Sequence, residues 1–247
     1  MKSIIHREMA FQVLSDFPNP QLLEFLIEGV AKKEWKKSRG TKERFLKDWM
    51  DMPDSNKHGS KLKNDHSYKL RKTDKGFKVE FAKTGGDQAT VVARLKYAAR
   101  DIKEWKEEEE YRVCALELAK SIHWLIDVSS PSHTLAGWTD KLHSRLEKDF
   151  DRIWRPTYTS GQKQIVFSRK NRIKDIYRWA MDFARASYDR NARLLEVYQQ
   201  GGSILKGKGV ALGREVILDI AQNLADYLAF TEKRIALPQS LAGLKAE

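Results

Sequence analysis

The chain has 247 residues, 41% of them apolar and 32% charged, long enough to bury a sizeable core and polar enough to suit a soluble helical protein. No stretch approaches the roughly 20 consecutive apolar residues of a membrane span, and the single Cys114 excludes an intrachain disulfide framework. Lysine and arginine number 46 against 34 acidic residues, a net charge of +12. That balance favours polyanionic partners such as phospholipid headgroups, nucleic acids or anionic small molecules, although the same cations also suit solvated helix faces.

The opening segment, MKSIIHREMAFQVL, interrupts its apolar run with His6, Arg7 and Glu8, so it does not read as a secretory signal. Apolar periodicity predicts helices near 4–15 and 20–38. The pattern then changes period: Tyr68-Lys-Leu70-Arg-Lys, a Thr-Asp-Lys-Gly turn and Phe77-Lys-Val79-Glu-Phe81 alternate as a β-hairpin does. Helical spacing resumes over 88–107, 109–128, 131–153, 172–198 and 210–235, with a further short strand expected at Gln164 to Phe167. Asp87 reads as a cap, Pro20 and Pro131 as first-turn residues, and Gly201, Gly202, Gly207 and Gly209 as the break between the last two long helices. No internal repeat or low-complexity linker divides the chain. The expected fold is mostly α, a single domain over 1–247 built as a multi-helix bundle with a small β-hairpin insertion near 67–82.

Chemistry concentrates in one run, His123-x3-Asp127-x5-His133-x9-His143-x3-Glu147. His123 with Asp127, and His143 with Glu147, are four residues apart, so each pair projects from one face of a helix. Ser129-Ser130-Pro131-Ser132-His133 reads as a turn that returns a third ligand over the same helix end. The helix before it is apolar nearly all round in its second half, and a histidine and an aspartate there need partners, because buried polar groups without compensation are costly. A metal ion satisfies both; a core histidine bonded to a carbonyl, with an aspartate at a helix end, is the ordinary alternative. Five candidate ligands within 25 residues favour a multinuclear zinc site. The remaining histidines are His6, His58 and His66, the last two near Asp54. No Ser-His-Asp, Cys-centred or phosphate-loop arrangement competes with this reading. Trp124 lies between ligands and reads as a packing residue, whereas Trp138, Tyr68, Phe77 and Phe81 are candidates to line a headgroup or base pocket.

The segment from His123 to His133, HWLIDVSSPSH, followed by His143-Ser-Arg-Leu-Glu147, resembles the signature of the bacterial zinc-dependent phospholipases C. The fungal single-strand-specific nucleases share its first part, but they typically close with His-x3-Asp after a longer insertion. Glu147 and the short gap after His133 therefore favour the phospholipase branch. The resemblance implies a zinc metallo-phosphodiesterase with two to three Zn2+ per chain. Asp54, His66, His123 and Asp127 would hold the first ion, and His133, His143 and Glu147 the second. A third would lie between His6, Asp127 as a bridge, and the amine and carbonyl of Met1. Asp51 can stand for Asp54 and His58 for His66 in this pattern. Family members usually begin, once processed, with a tryptophan whose amine binds metal, and this chain departs from that with Met1-Lys2 and no tryptophan before residue 35. The resemblance further implies Asp54 as general base, a phospholipid or other phosphodiester substrate, peripheral contact with an anionic membrane surface, and export from the cell. Nucleic acid is the alternative substrate on the same trinuclear scaffold, and a non-catalytic zinc-binding protein is the alternative from a different class.

Overall fold

A computed structural model describes residues 68–80, 91–107, 111–159 and 173–234. Among them the protein is 75% helical, with seven helices and one small two-stranded antiparallel sheet, the mostly-α class that the periodicity predicts. The helices predicted near 4–15 and 20–38, the strand at Gln164 to Phe167, Phe81 and the Asp87 cap lie outside the described residues.

Strands β1 (Lys69–Thr73) and β2 (Gly76–Glu80) pair in the register Lys69↔Glu80, Leu70↔Val79, Arg71↔Lys78, Lys72↔Phe77 and Thr73↔Gly76. Asp74 and Lys75 form the two-residue turn, and Gly76 takes φ 112°, a conformation that side-chain-bearing residues rarely adopt. Period-2 alternation sends Leu70 (0% exposed) and Val79 into the core, while Arg71 and Lys78 are solvent-exposed.

Helix α1 (Val91–Glu107) buries Val91, Leu95, Ala98, Ala99 and Ile102, a stripe at helical spacing that packs against α2 (Tyr111–Ser129). Helix α2 is buried at every residue from Ser121 to Ser129, because its second half is apolar on all sides and lies between α1 and the long α7 (Gly209–Arg234). Each fully buried Leu or Ile there, such as Ile122 and Leu125 at 0% exposure, stabilises the fold by roughly 1.5–3 kcal/mol.

The predicted helix over 131–153 is two helices, α3 (Pro131–Thr134) and α4 (Asp140–Thr159). Pro131 occupies the first turn as predicted, but Leu135 leaves helical geometry (φ −116°, ψ 133°) to form a parallel bridge with Leu70, and the Ala136 amide donates to the Leu70 carbonyl at 3.2 Å. The hairpin thus takes the backbone groups that a continuous helix would use. Gly137 at φ 101° then reverses the chain, and the Thr139 hydroxyl accepts from the Leu142 amide at 3.4 Å at the start of α4.

The predicted helix over 172–198 is likewise two, α5 (Ile176–Ala186) and α6 (Tyr188–Gln199), joined at Ser187. Asp175 sets the start of α5, accepting from the Tyr177 and Arg178 amides at 2.9 and 3.1 Å. Past α6, Gly201 and Gly207 take φ 79° and 60° and separate it from α7, as predicted. Among the described residues no helix is long and apolar enough to cross a membrane.

Candidate metal centre

Three segments converge on the site: the C-terminal end of α2, the short α3, and the first turns of α4. Helical spacing on α2 puts His123 and Asp127 on one face, with His123 Nε2 3.4 Å from Asp127 Oδ2. The chain then turns sharply, the Ser130 amide donating to the Asp127 carbonyl at 2.9 Å and the His133 amide to the Ser130 carbonyl at 3.1 Å. That turn carries His133 back over the end of α2, where its Nε2 lies 3.4 Å from Asp127 Oδ1. One carboxylate therefore stands between two imidazoles. On α4, His143 Nε2 is 3.2 Å from Glu147 Oε1. The rings of His133 and His143 meet edge to face with centroids 4.6 Å apart.

His133, His143 and Glu147 form one candidate metal site, with one ligand atom from each within 4.8 Å of the others. The donor set fits a cation. His143 Nε2 is shielded from solvent and makes no hydrogen bond among the described residues, although Glu147 lies 3.2 Å away. The separations in all three pairs also exceed the 2.7–2.9 Å typical of a charge-assisted hydrogen bond. Burial is graded across the site: the Asp127 and His123 side chains are 1% and 2% exposed, His133 13%, Glu147 16% and His143 30%. Its inner end is closed and its α4 side faces solvent.

The ligand-bearing turn is held from several directions. The Tyr68 amide donates to the His133 carbonyl at 2.8 Å, and the Lys69 ammonium to the Ser132 carbonyl at 3.0 Å, so the hairpin grips both residues at their backbone. Thr134 Oγ1 donates to the Ser130 carbonyl at 3.0 Å and accepts from Asn191 Nδ2 of α6 at 3.4 Å, while Asn223 Nδ2 of α7 donates to Ser129 Oγ at 3.2 Å. On the opposite face of α4, buried Asp149 accepts from the Tyr198 hydroxyl at 2.7 Å, and the Arg145 guanidinium lies over the Tyr198 ring at 5.3 Å and donates to the Gly201 carbonyl. Burial, followed by the hydrogen bond to Asp149, pushes the Tyr198 phenol far above its ordinary value.

Of the residues that the sequence singles out, the structure brings His123, Asp127, His133, His143 and Glu147 to one end of the helical core. Met1, His6, Asp54 and His66, and the alternatives Asp51 and His58, lie outside the described residues. Trp124 packs in the core as expected; Tyr68 and Trp138, read as candidate pocket aromatics, are also core residues at 1% and 8% exposure. Sequence reading missed Lys69, Asn191, Asn223 and the Asp149–Tyr198 pair. The run of small hydroxyl residues from Ser129 to Thr134 hinted that the turn would need polar partners, but those partners lie 57 to 94 residues away on other helices. In comparison with known proteins, no family model matches the chain and no curated protein is similar enough to count as a relative.

Proposed function

We propose that the chain is a zinc-dependent phosphodiester hydrolase of the phospholipase C type, releasing diacylglycerol and a phosphorylated headgroup. The observation that carries this reading is the meeting of His133, His143 and Glu147 beside the Asp127 carboxylate. Two ligands of one tetrahedral zinc, each about 2.0–2.1 Å from the ion, stand about 3.3 Å apart. The two separations between ligands assigned to the same ion, 3.4 Å for His123 with Asp127 and 3.2 Å for His143 with Glu147, match that edge. Imidazole and carboxylate ligands suit zinc, and three protein ligands on a partly exposed site suit a catalytic ion rather than a closed structural one.

In this reading His133, His143 and Glu147 hold one ion. His123 and Asp127 hold a second with Asp54 and His66, and His6, Met1 and the shared Asp127 hold a third. When bound, zinc supplies Lewis acidity at the phosphoryl oxygens and acidifies water toward a pKa of ~7. Asp54 is the general base that takes the proton of the attacking water. The buried pair His123 and Asp127 fixes the inner wall of the site, and His143, the most exposed of the described ligands, lies on the side from which a diester approaches. Glu147 and the nine-residue gap between His133 and His143 favour phospholipid over nucleic acid, through the resemblance to the zinc-dependent phospholipases C.

Two measurements test this: zinc per chain by elemental mass spectrometry, and relative hydrolysis of phosphatidylcholine micelles and single-stranded DNA. The reading expects two to three zincs and faster turnover of the lipid. A single zinc removes the ions assigned to the N-terminal and Asp54/His66 ligands. Faster cleavage of DNA moves the assignment to the nuclease, and bound zinc without hydrolysis of any diester makes the centre structural.

A further inference from the structure

We infer that α6 is the frame that sets His133 at its distance from His143 and Glu147, with Asn191 and Tyr198 as positioning residues; the inference rests on the metal centre proposed above and not on its substrate. His133 belongs to α3 and the other two ligands to α4, and the segment between leaves helical geometry at Leu135 and reverses at Gly137. No continuous helix therefore fixes their separation. Helix α6 meets this part of the chain at three levels. Buried Asn191 donates from Nδ2 to Thr134 Oγ1, next to His133. One turn on, Leu195 Cδ2 lies 3.1 Å from where a side chain at Gly137 would begin. A turn beyond that, buried Tyr198 donates its hydroxyl to Asp149 at 2.7 Å and lies under the Arg145 guanidinium at 5.3 Å. Residues 191, 195 and 198 have the spacing of one helix face.

Both polar contacts are directional. Arg190, which can only donate, faces Asn191 Oδ1 at 3.4 Å and pairs with Asp219 of α7, so the amide nitrogen is left for Thr134. Thr134 gives its hydroxyl proton to the Ser130 carbonyl, which also receives the His133 amide. On α4, residues two apart are rotated by about 200°, so Arg145 and Asp149 lie opposite His143 and Glu147 on the same turns. Holding the first pair aims the second. Buried Leu146 and Phe150 also pack α4, but apolar contact is non-directional. A side-chain atom about 5–6 Å from the axis moves about 2 Å when a helix rolls by about 20°, as far as a whole zinc–ligand bond. Tyr198 opposes that roll because its ring meets Arg145 and its hydroxyl meets Asp149, one turn apart. A buried hydroxyl and carboxylate fill a core at greater cost than apolar side chains do, which fits a contact that fixes orientation.

The test loads the full chain with cobalt(II), whose visible absorption reads ligand geometry, and draws the metal off with a chelator to read affinity. Tyr198→Phe keeps the ring and loses the hydroxyl; Asn191→Ala releases Thr134. Each should weaken cobalt binding about 10-fold, the lower end of the loss for residues that support ligands, and should alter the absorption band while circular dichroism shows a folded chain. Asp175→Ala removes the α5 cap and is the control for lost stability; it should bind cobalt as the unaltered chain does, with the same spectrum. Should Tyr198→Phe fail to fold, Arg145→Met, at a half-buried position, takes its place and should lose about 3-fold, the size of an exposed cation–ring contact. Unchanged affinity and spectrum in both variants overturn the inference, as does an equal loss in Asp175→Ala, which makes the effect one of stability. Absence of cobalt binding by the unaltered chain removes the metal centre itself and this inference with it, whereas failure of the variants alone leaves the centre standing.

Discussion

Replacing His143 with alanine separates a metal centre from a set of histidine–carboxylate contacts. Without metal, the substitution removes a side chain that is 30% exposed, one i,i+4 pair with Glu147 at 3.2 Å worth about 0.3–0.5 kcal/mol on a helix, and the edge-to-face contact with His133, worth about 0.5–1.5 kcal/mol. Alanine is the better helix former, so the metal-free stability should fall by no more than about 2 kcal/mol. With zinc at about 1,000 times its dissociation constant, linkage adds about 4.1 kcal/mol to the native state. For a domain of this size that raises the midpoint of thermal unfolding by roughly 8–16 °C. Losing one of three ligands should weaken binding at least about 100-fold, the upper end of the loss seen for mere supporting residues. The same zinc then adds only about 1.4 kcal/mol, a rise of roughly 3–6 °C. Differential scanning calorimetry of both proteins with and without zinc reads the four values. If the unaltered protein gains nothing from zinc, or His143→Ala keeps the whole gain, His143 is not a ligand and the centre is wrongly assigned.

Four further outcomes are expected. The Tyr198 phenol is raised in the folded protein by burial and its bond to Asp149, so its contribution to stability is complete below the unfolded tyrosine pKa of about 10 and is lost as pH rises above it; ultraviolet titration of the unaltered chain and of Tyr198→Phe should differ by a tyrosine that stays un-ionised until the fold opens. Gly137→Ala puts a side chain at φ 101° and 3.1 Å from Leu195 Cδ2, costing about 1–3 kcal/mol in urea denaturation and lowering zinc affinity, because Gly137 lies between the segments carrying His133 and His143. Asp175→Ala removes the acceptor for two amides of α5 and should cost about 1 kcal/mol without altering zinc binding. Asp54→Asn should sharply reduce diester turnover while leaving at least part of the zinc bound, as steady-state kinetics with metal analysis will show; unchanged turnover removes Asp54 from the mechanism.

Local periodicity determined a good part of this protein. The period-2 run from Tyr68 to Phe81 specified a hairpin, and the four-residue spacings specified which carboxylate each helical histidine meets, His123 with Asp127 and His143 with Glu147. Pro131, Gly201 and Gly207 marked boundaries because their backbone preferences are intrinsic to the residue. Tertiary structure decided the rest. Gly137, at φ 101°, is the local signal at the break between α3 and α4, but the helix already ends before it, where Leu70 competes for the backbone at Leu135 and Ala136. The meeting of His133 with both Asp127 and His143 depends on that break, as does the grip of Tyr68 and Lys69 on the turn. Helical and strand periods act over a few residues and can be read along the chain. Contacts such as Asn223 with Ser129, 94 residues apart, are set by how whole faces pack, and no single segment encodes them.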